Sequence, residues 1–304
     1  MRTICLIGPT GTGKSSSALR VAERFGGEIV NFDSRQVYRD VPITTDQPGP
    51  EVRRQVPHWL YGFLESREKL DAGGYAQHAE EVMHGIARRG GIPVLTGGTG
   101  LYLQAVLYGL APIPETPESL RQRVLEEYHE YGPEAAHSRL AEIDPETARA
   151  VSPRDRQRVT RALEVFEQTG RSISWWQKRH QRSSPRHEAL KIGMIPDRQQ
   201  LKRDLARRIG AMLEQGAVEE VRAAWNRCPD PSAPVWTGIG CRELLAYIWG
   251  RMELEEAKGE WIKRTWNYAK RQLTWFRRDG DIHWVTPGNP EDIEKRVALW
   301  VESE

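Results

Sequence analysis

Cysteine and long apolar runs are scarce in this sequence. It has three cysteines, Cys5, Cys228 and Cys241, and their spacing does not match that of a zinc site. No apolar run approaches the roughly 18 residues of a membrane-spanning helix, and the N-terminus carries no secretory signal pattern. We therefore expect a cytoplasmic protein without disulfides, a structural zinc or a membrane partner.

An excess of charge of one sign is also lacking. The 44 basic and 42 acidic residues leave a formal net charge of only +2. A nucleic-acid partner must therefore meet a local basic surface rather than a globally basic protein. The 304 residues, 38% of them hydrophobic and 28% charged, are typical of a globular enzyme with one core and a further module.

Residues 8–15 carry the most informative pattern. The motif G-x-x-x-x-G-K-[ST] is matched by Gly8, Pro9, Thr10, Gly11, Thr12, Gly13, Lys14 and Ser15. An apolar run precedes it and a helix-compatible stretch follows, which is the context that a P-loop requires. The glycines let backbone N–H groups turn toward a di- or triphosphate, Lys14 adds a cation, and Ser15 is suited to hold Mg²⁺. We expect a phosphorylated ligand here, which the motif alone does not identify.

Turn and periodicity signals predict the fold. Predicted strands cover residues 3–7, 28–32, 92–95, 190–195 and 282–285, and the helices between the first three cover 15–25 and 75–89. This alternation predicts an α/β fold, a P-loop NTPase-like parallel sheet core flanked by helices.

After a proline-rich hinge at 111–117 the composition and the predicted secondary structure change. From Glu118 to about Gln181 the sequence is helical and charged, with Thr116 predicted as the helix cap and Pro117 at the first helical position. We place a helical insertion domain at 117–187, between a first part of the core at 1–116 and a second part at 188–304 that ends in basic helices.

Two segments are locally basic. The first carries Arg154, Arg156, Arg158, Arg161, Arg171, Lys178, Arg179, Arg182 and Arg186. On a helix, Arg154, Arg158 and Arg161 would share one face. The second repeats basic pairs every seven residues without an acid between Trp261 and Arg278, at Lys263/Arg264, Lys270/Arg271 and Arg277/Arg278. Both fit a polyanion such as RNA, and both also fit an ordinary solvated helix face.

The expected Walker B acid is missing. A P-loop NTPase needs a carboxylate at the end of a hydrophobic strand, yet the best later strand runs into Thr96-Gly97-Gly98-Thr99. The acid instead follows the second strand, as Asp33. Because the carboxyl ends of parallel strands share one edge, Asp33, Thr99 and the P-loop should converge there.

Six motifs together resemble the tRNA dimethylallyltransferase (tRNA isopentenyltransferase) family, in order along nearly the whole chain. They are residues 8–15, Asp33-Ser34-Arg35-Gln36-Val37-Tyr38, Pro57-His58, Gly97-Gly98-Thr99-Gly100-Leu101-Tyr102, 155–165 and Tyr268-Ala269-Lys270-Arg271-Gln272-Leu273-Thr274-Trp275. The resemblance implies transfer of a dimethylallyl group from dimethylallyl diphosphate to N6 of the adenosine 3′ to the anticodon of tRNA.

The resemblance also implies residue roles. Residues 8–15 and Arg208 would hold the diphosphate, with Mg²⁺ on Ser15. Asp33 would take the proton from the adenine amine, and Thr99 would position the reacting groups. The implied tRNA contacts are Asp33, Ser34, Arg35, Gln36, His58, Thr99, Arg121, Gln157, Arg158, Val159, Thr160, Arg161, Lys270 and Arg271.

The sequence departs from the family pattern at one loop in particular. Where the family usually has Gly-Thr-Ala-Lys-Pro, this chain has Thr44-Thr45-Asp46-Gln47-Pro48, so a basic contact is missing. Further departures at 57–62 and at Cys241 concern the rim of the expected substrate channel.

Two other functions remain open on the residues alone. A P-loop kinase would use the insertion as a lid and Asp33 to deprotonate a hydroxyl, but it leaves the C-terminal basic helix unused. A non-catalytic RNA-binding module would use the P-loop only to sense a nucleotide. For the prenyltransferase we expect a monomer.

Overall fold

The computed structural model describes residues 1–180 and 184–303. One compact unit comprises Met1–Gly109 and the segment from Pro185 onward, and the other comprises Leu110–Ser184. Gln181 and Arg182, named above in the helical and basic segment, lie outside the described residues.

The larger unit is built on a parallel sheet. In the described residues its strands are β1 (Arg2–Ile7), β2 (Gly27–Asn31), β3 (His58–Trp59), β4 (Ile92–Gly97), β5 (Glu188–Met194) and β6 (His283–Val285). They lie in the order β3-β2-β4-β1-β5-β6, and every neighbouring pair is parallel. The central strand β1 buries Ile4, Cys5, Leu6 and Ile7 completely, as expected for a strand covered on both faces. The predicted α/β fold with a helix-flanked parallel sheet is confirmed.

Helices surround this sheet and form the second unit. In the larger unit they are α1 (Lys14–Phe25), α2 (Pro50–Gln55), α3 (Ala72–Arg88), α4 (Gly100–Tyr108), α9 (Arg198–Glu214), α10 (Ala217–Arg227), α11 (Cys241–Ile248), α12 (Leu254–Phe276) and α13 (Pro290–Glu302), with a 3₁₀ turn at Pro234–Thr237. In the smaller unit they are α5 (Glu118–Ile143), α6 (Pro145–Ala150), α7 (Arg156–Thr169) and α8 (Ile173–His180). In the described part of the chain, no helix is both long and apolar enough to cross a membrane.

Two apolar clusters support the larger unit. One joins the sheet to α1 and α13, through residues such as Ile4, Val21 and Val297. The other lies among α9 to α12 and includes Ile209, Leu244 and Trp261. Helices α9 to α12 therefore share a core that is separate from the cluster beneath the sheet.

The smaller unit has its own core and corrects two predictions. Val124, Leu140, Val159 and Leu163 pack together between α5 and α7. Thr116 is not the cap of α5, because the helix begins at Glu118 after Pro117 and the Thr116 hydroxyl instead bonds to Gln168 and Arg161. Arg154 does not share a helix face with Arg158, because Arg154 lies in the turn before α7 begins.

The basic stripe near the C-terminus is shorter than predicted. Helix α12 ends at Phe276, so Arg277 and Arg278 lie beyond it. Lys263 pairs with Glu260 at 2.7 Å, and Arg264 pairs with Glu243 of α11 at 3.1 Å. These acids neutralise the first basic pair, and within the described residues only Lys270 and Arg271 remain on α12 as an exposed basic pair without a carboxylate partner.

Candidate active site

Three loops meet where β2, β4 and β1 end. Because these strands are neighbours in the sheet, Asp33 after β2, Thr99 after β4 and the P-loop after β1 share one edge. The Thr99 N–H donates to the Phe32 carbonyl at 3.2 Å, and the Ser34 N–H donates to Thr99 Oγ1 at 2.9 Å. The structure therefore joins the Asp33 and Thr99 loops directly.

The P-loop presents free backbone donors at the start of α1. Gly11 and Gly13 adopt φ of 85° and 80°, which favours glycine, and no side chain in the described part of the chain caps the helix N-terminus. Within the loop, Thr12 Oγ1 and Lys14 Nζ donate to the Pro9 carbonyl at 2.9 and 2.7 Å. This geometry leaves the first-turn N–H groups available to an anion, as at other helix N-termini.

Lys14 is in an electrostatically mixed environment. Burial lowers the pKa of its ammonium from 10.5 to about 8; the carboxylates of Asp33 and Asp46 oppose this shift, whereas the guanidinium of Arg208 adds to it. The two carboxylates and the second cation therefore lie close to the P-loop lysine. An incoming diphosphate would favour the charged form of Lys14.

Arg208 reaches the P-loop from α9. Its Nη1 donates to Thr10 Oγ1 at 2.8 Å, and its Nη2 lies 3.1 Å from Asp46 Oδ2. Met212, one turn later on the same helix, is buried in the α9–α12 core and so anchors this part of α9. The structure thus brings Arg208 to the predicted phosphate site across a long sequence separation.

Asp33 is held by its own turn. Its N–H donates to Asn31 Oδ1 at 2.8 Å, and its Oδ1 accepts the Arg35 N–H at 2.8 Å. The amide of Asn31 in turn donates to the Asp33 and Leu60 carbonyls. Within the described residues Asp33 Oδ2 accepts no hydrogen bond, and it faces Gly98. Asp33 therefore shapes a turn with one oxygen, and its other oxygen is available to a ligand.

The neighbouring candidates for tRNA contact differ in their freedom. Gln36 Nε2 donates to the Thr45 and Asp46 carbonyls at 3.1 and 2.5 Å, so this amide nitrogen is already engaged. Arg35 donates to the Pro234 carbonyl and to the Thr237 hydroxyl.

Ser34 and His58 complete the candidates at this sheet edge. The Ser34 hydroxyl accepts from Thr99 Oγ1 at 3.2 Å. His58 Nδ1 bonds to the Val56 carbonyl at 2.8 Å, and partial burial lowers the pKa of its ring. Ser34 thus lies against the Thr99 hydroxyl, and His58 is tied to the loop before β3.

Two residues of α12 complete the site, and sequence reasoning assigned neither a role. Gln272 Oε1 accepts the Thr10 N–H at 3.0 Å, and Gln272 Nε2 donates to the Gly98 carbonyl at 2.9 Å. A side chain at position 98 would overlap that amide, which explains the glycine. Gln272 therefore ties the P-loop to the loop after β4.

Tyr268 lies one turn before Gln272. Burial is the main cause that raises the pKa of the Tyr268 phenol, the negative charge of Asp33 adds to it, and hydrogen bonds with the Thr99 and Gln272 side chains act against it. The signal in the sequence is the spacing of four that places both polar side chains on the buried face of α12.

The solvent-exposed surface of α12 carries the remaining basic pair. Lys270 lies over the Trp266 ring at 5.7 Å, and Arg271 lies over the Tyr268 ring at 5.7 Å, and both side chains are exposed. These contacts with aromatic rings hold the two cationic side chains in place without neutralising their charge. Among the residues that the structure describes, neither cation has a carboxylate partner.

The smaller unit gathers several predicted tRNA contacts around one cavity of about 240 Å³. Its lining residues are Glu118, Arg121, Gln122, Leu125, Arg156, Gln157, Thr160 and Glu164. Arg158 is exposed and 3.5 Å from Asp155, whereas Arg161 bonds to Thr116 and approaches Glu164 at 3.4 Å. Val159 is completely buried in the core of the smaller unit, so the structure exposes no surface of this predicted contact residue.

A magnesium ion at the P-loop would have few protein ligands. Among the described residues, no cluster of three or more His, Cys, Asp or Glu side chains is placed to hold a metal. Ser15 is exposed in the first turn of α1. Because Mg²⁺ keeps several waters and is usually shared with substrate phosphates, a lone hydroxyl beside a diphosphate site fits this ion.

Family models and relatives match this chain over nearly its whole length. The model of the family described as IPP transferase matches residues 36–279, and the model described as isopentenyl transferase matches residues 1–62. A tRNA dimethylallyltransferase of Maridesulfovibrio salexigens is 48% identical, covering 98% of this chain and 97% of the relative. Another from Geobacter sulfurreducens is 40% identical, covering 96% and 94%.

Solved structures give the same result. The tRNA isopentenylpyrophosphate transferase of Bacillus halodurans has a TM-score of 0.74 and 30% identity, and the match covers 99% of this chain and 97% of that one. A eukaryotic dimethylallyltransferase acting on tRNA has a TM-score of 0.79 and 26% identity, with 99% and 77% covered. Sequence and fold therefore agree.

Proposed function

Because this chain belongs to the IPP transferase family, we propose that it transfers a dimethylallyl group from dimethylallyl diphosphate to N6 of the adenosine 3′ to the tRNA anticodon. It is a prenyl-transferring enzyme. The observation that carries the chemical assignment is the placement of Asp33 and Thr99 at neighbouring strand ends, beside Lys14 of the P-loop.

The P-loop binds the donor by its diphosphate. The N–H groups of 11–15, the ammonium of Lys14 and the guanidinium of Arg208 supply positive charge at one end of α1. As the bond between the allylic carbon and the diphosphate oxygen breaks, negative charge accumulates on the diphosphate. These groups lower the barrier because they stabilise that charge more strongly than the charge of the intact donor.

Asp33 accepts the proton of the attacking amine. The N6 nitrogen forms a bond to the allylic carbon, the carbon–oxygen bond breaks, its electron pair leaves with diphosphate, and the N6 proton passes to Asp33. Asp33 Oδ2 is the available oxygen, since Oδ1 is occupied by the Arg35 N–H. Thr99 positions the amine. The Thr99 hydroxyl is itself held by hydrogen bonds with the Ser34 hydroxyl and the Tyr268 side chain.

Ser15 would hold Mg²⁺ together with the donor phosphates. When bound, the ion supplies additional positive charge to the diphosphate leaving group. The chain's own contribution is independent of it, since Lys14 and Arg208 carry their charges on rigid elements.

Transfer RNA is bound through phosphate charge on both units. In the larger unit the contacts are Lys270 and Arg271 on α12, with Ser34, Arg35, Gln36 and His58 near the base. In the smaller unit they are Arg121, Gln157 and Thr160, which line the α5–α7 cavity, together with Arg158 and Arg161 of α7. The target adenine cannot react while stacked, so it must be flipped out toward Asp33.

One experiment separates this function from a kinase or a nucleotide-sensing RNA-binding module. The purified protein is incubated with unmodified tRNA and either labelled dimethylallyl diphosphate or γ-labelled ATP, and digested tRNA nucleosides are analysed by mass spectrometry. We expect N6-dimethylallyl adenosine and released diphosphate, with no phosphoryl transfer from ATP. Phosphorylated product with ADP, or tRNA binding without any modification, would contradict the proposal.

A further inference from the structure

The loop carrying Asp46 is held firmly beside the donor site. Asp46 has φ of 58°, its N–H donates to the Ile43 carbonyl at 3.0 Å, and its own carbonyl accepts from Gln36. The next residue, Gln47, donates to the Tyr38 carbonyl at 2.7 Å and accepts from Arg53 at 3.1 Å. The position of the Asp46 carboxylate is therefore set by the loop rather than by chance exposure.

This carboxylate lies among the groups that bind diphosphate. Its Oδ2 is 3.1 Å from Arg208 Nη2, and its negative charge favours the protonated form of Lys14. Arg208 uses its other terminal nitrogen on the Thr10 hydroxyl of the P-loop. Asp46 thus engages one of the two terminal nitrogens of the Arg208 guanidinium, the group proposed to bind the donor.

A carboxylate at this place has no role in the transfer itself. Asp33 already takes the amine proton, and a second negative charge beside Lys14 and Arg208 repels a polyanionic donor and product alike.

We propose that Asp46 is a positioning residue that competes with diphosphate for Arg208, and so lowers the affinity for donor and product. Without donor, the carboxylate keeps Arg208 aimed at the P-loop. With donor, the guanidinium must exchange Asp46 for phosphate oxygens, and the reverse exchange assists diphosphate release. The inference rests on the proposed role of Arg208 as a donor ligand.

The expected size of the effect follows from exposure. The Arg208 and Asp46 side chains are 28% and 49% exposed, so solvent screens the pair considerably. Pairs of this kind correspond to a change of about two- to fivefold in an equilibrium constant.

Calorimetric titration with inorganic diphosphate, with and without Mg²⁺, tests the proposal in the full-length protein. The variant is Asp46→Asn, because asparagine also tolerates the left-handed backbone. We expect Asp46→Asn to bind diphosphate about two- to fivefold more tightly than wild type. In an Arg208→Gln background the same substitution should have less effect, because the group for which Asp46 competes is gone.

Kinetics provide a readout that a structural role would not change. The KM for dimethylallyl diphosphate and the inhibition constant of diphosphate should both fall, while the single-turnover rate at saturating donor stays the same. Asp204→Asn is the matched control, since Asp204 lies one turn from Arg208 on α9 but pairs with Arg207. It should leave diphosphate affinity within twofold of wild type.

Several outcomes would overturn the proposal. Weaker diphosphate binding by Asp46→Asn only with Mg²⁺ would make Asp46 a metal ligand instead. If Asp204→Asn increased the affinity for diphosphate as much as Asp46→Asn does, the effect would come from the loss of any negative charge and not from competition for Arg208. If wild type transfers the prenyl group but Arg208→Gln binds diphosphate normally, the competition model fails while the enzyme function stands. Absence of diphosphate binding in wild type would contradict both.

Discussion

In the proposed mechanism, Asp33 combines two tasks that are usually assigned to different residues. One carboxylate oxygen closes a turn on the Arg35 N–H, and within the described residues the other accepts no hydrogen bond. A strand-end aspartate in a turn therefore need not be only a turn former. Its second oxygen remains available, beside Lys14 and the Thr99 loop.

Replacing Asp33 by asparagine tests the proton transfer. Asn keeps the shape and the turn but cannot accept the amine proton. We expect Asp33→Asn to lower the single-turnover rate of prenyl transfer by about 10²- to 10⁴-fold, with both substrates still bound. Rapid-quench measurement of modified tRNA checks the rate, and a near wild-type rate would leave Asp33 with a positioning role only.

If Lys14 binds the donor as proposed, donor affinity should depend on pH. Burial lowers the pKa of Lys14 to about 8, and only the protonated form attracts the diphosphate. Donor affinity should therefore be constant well below pH 8 and fall above it, by up to about tenfold per pH unit. Titration of the KM for dimethylallyl diphosphate from pH 6.5 to about 9.5 measures this. Lys14→Met should bind weakly throughout, without that decline.

The buried face of helix α12 connects the P-loop with the loop that follows β4. Gln272 satisfies the Thr10 N–H and the Gly98 carbonyl, and Tyr268 contacts the Thr99 side chain. The exposed face of the same helix carries Lys270 and Arg271. The same helix thus holds the P-loop through its buried face and exposes two cations to solvent.

Removing the Gln272 amide should disturb both loops. Gln272→Met keeps the length of the side chain but leaves the part-buried Thr10 N–H and the buried Gly98 carbonyl without these partners. Each costs about 1–3 kcal/mol, so unfolding free energy should fall and the KM for the donor should rise. Denaturant unfolding and steady-state kinetics measure the two effects. The exposed Lys263→Gln on the same helix should stay within about 0.5 kcal/mol of wild type.

Acidic partners reduce the positive charge that the molecule as a whole can offer to a polyanion. Its net charge is only +2, and many of its basic side chains are paired with acids. Affinity for a polyanion should therefore depend on the acidic partners of the cations as well as on the number of cations. Lys270/Arg271 and Lys263/Arg264, seven residues apart on α12, make a matched comparison.

Salt dependence of tRNA binding distinguishes these two pairs. Replacing Lys270 and Arg271 by alanine should reduce the slope of log K against log salt by roughly 1 to 2, because bound phosphates no longer release counterions. Replacing Lys263 and Arg264 should change the slope less, since Glu260 and Glu243 already neutralise them. Filter binding from about 50 to 300 mM salt measures both, and equal slopes would contradict the assignment.

Much of the fold was predictable because its signals are local. The P-loop glycines, the apolar strands and the alternation of strand and helix depend on backbone conformation and on burial, which neighbouring residues report. The exact start of a helix is less predictable from the sequence. Thr116 has the chemistry of a helix cap, but its hydroxyl is used by Gln168 and Arg161, which lie far along the chain.

The sequence by itself determined the α/β fold, the phosphate loop, the family and the strand end where Asp33 lies. Only the tertiary structure decided which groups are free to act. It pairs Arg264 with Glu243, places Gln272 between two loops and sets Asp46 against Arg208. The physical reason is that periodicity records whether a side chain is buried, whereas its charge partner is chosen by elements that meet only after folding.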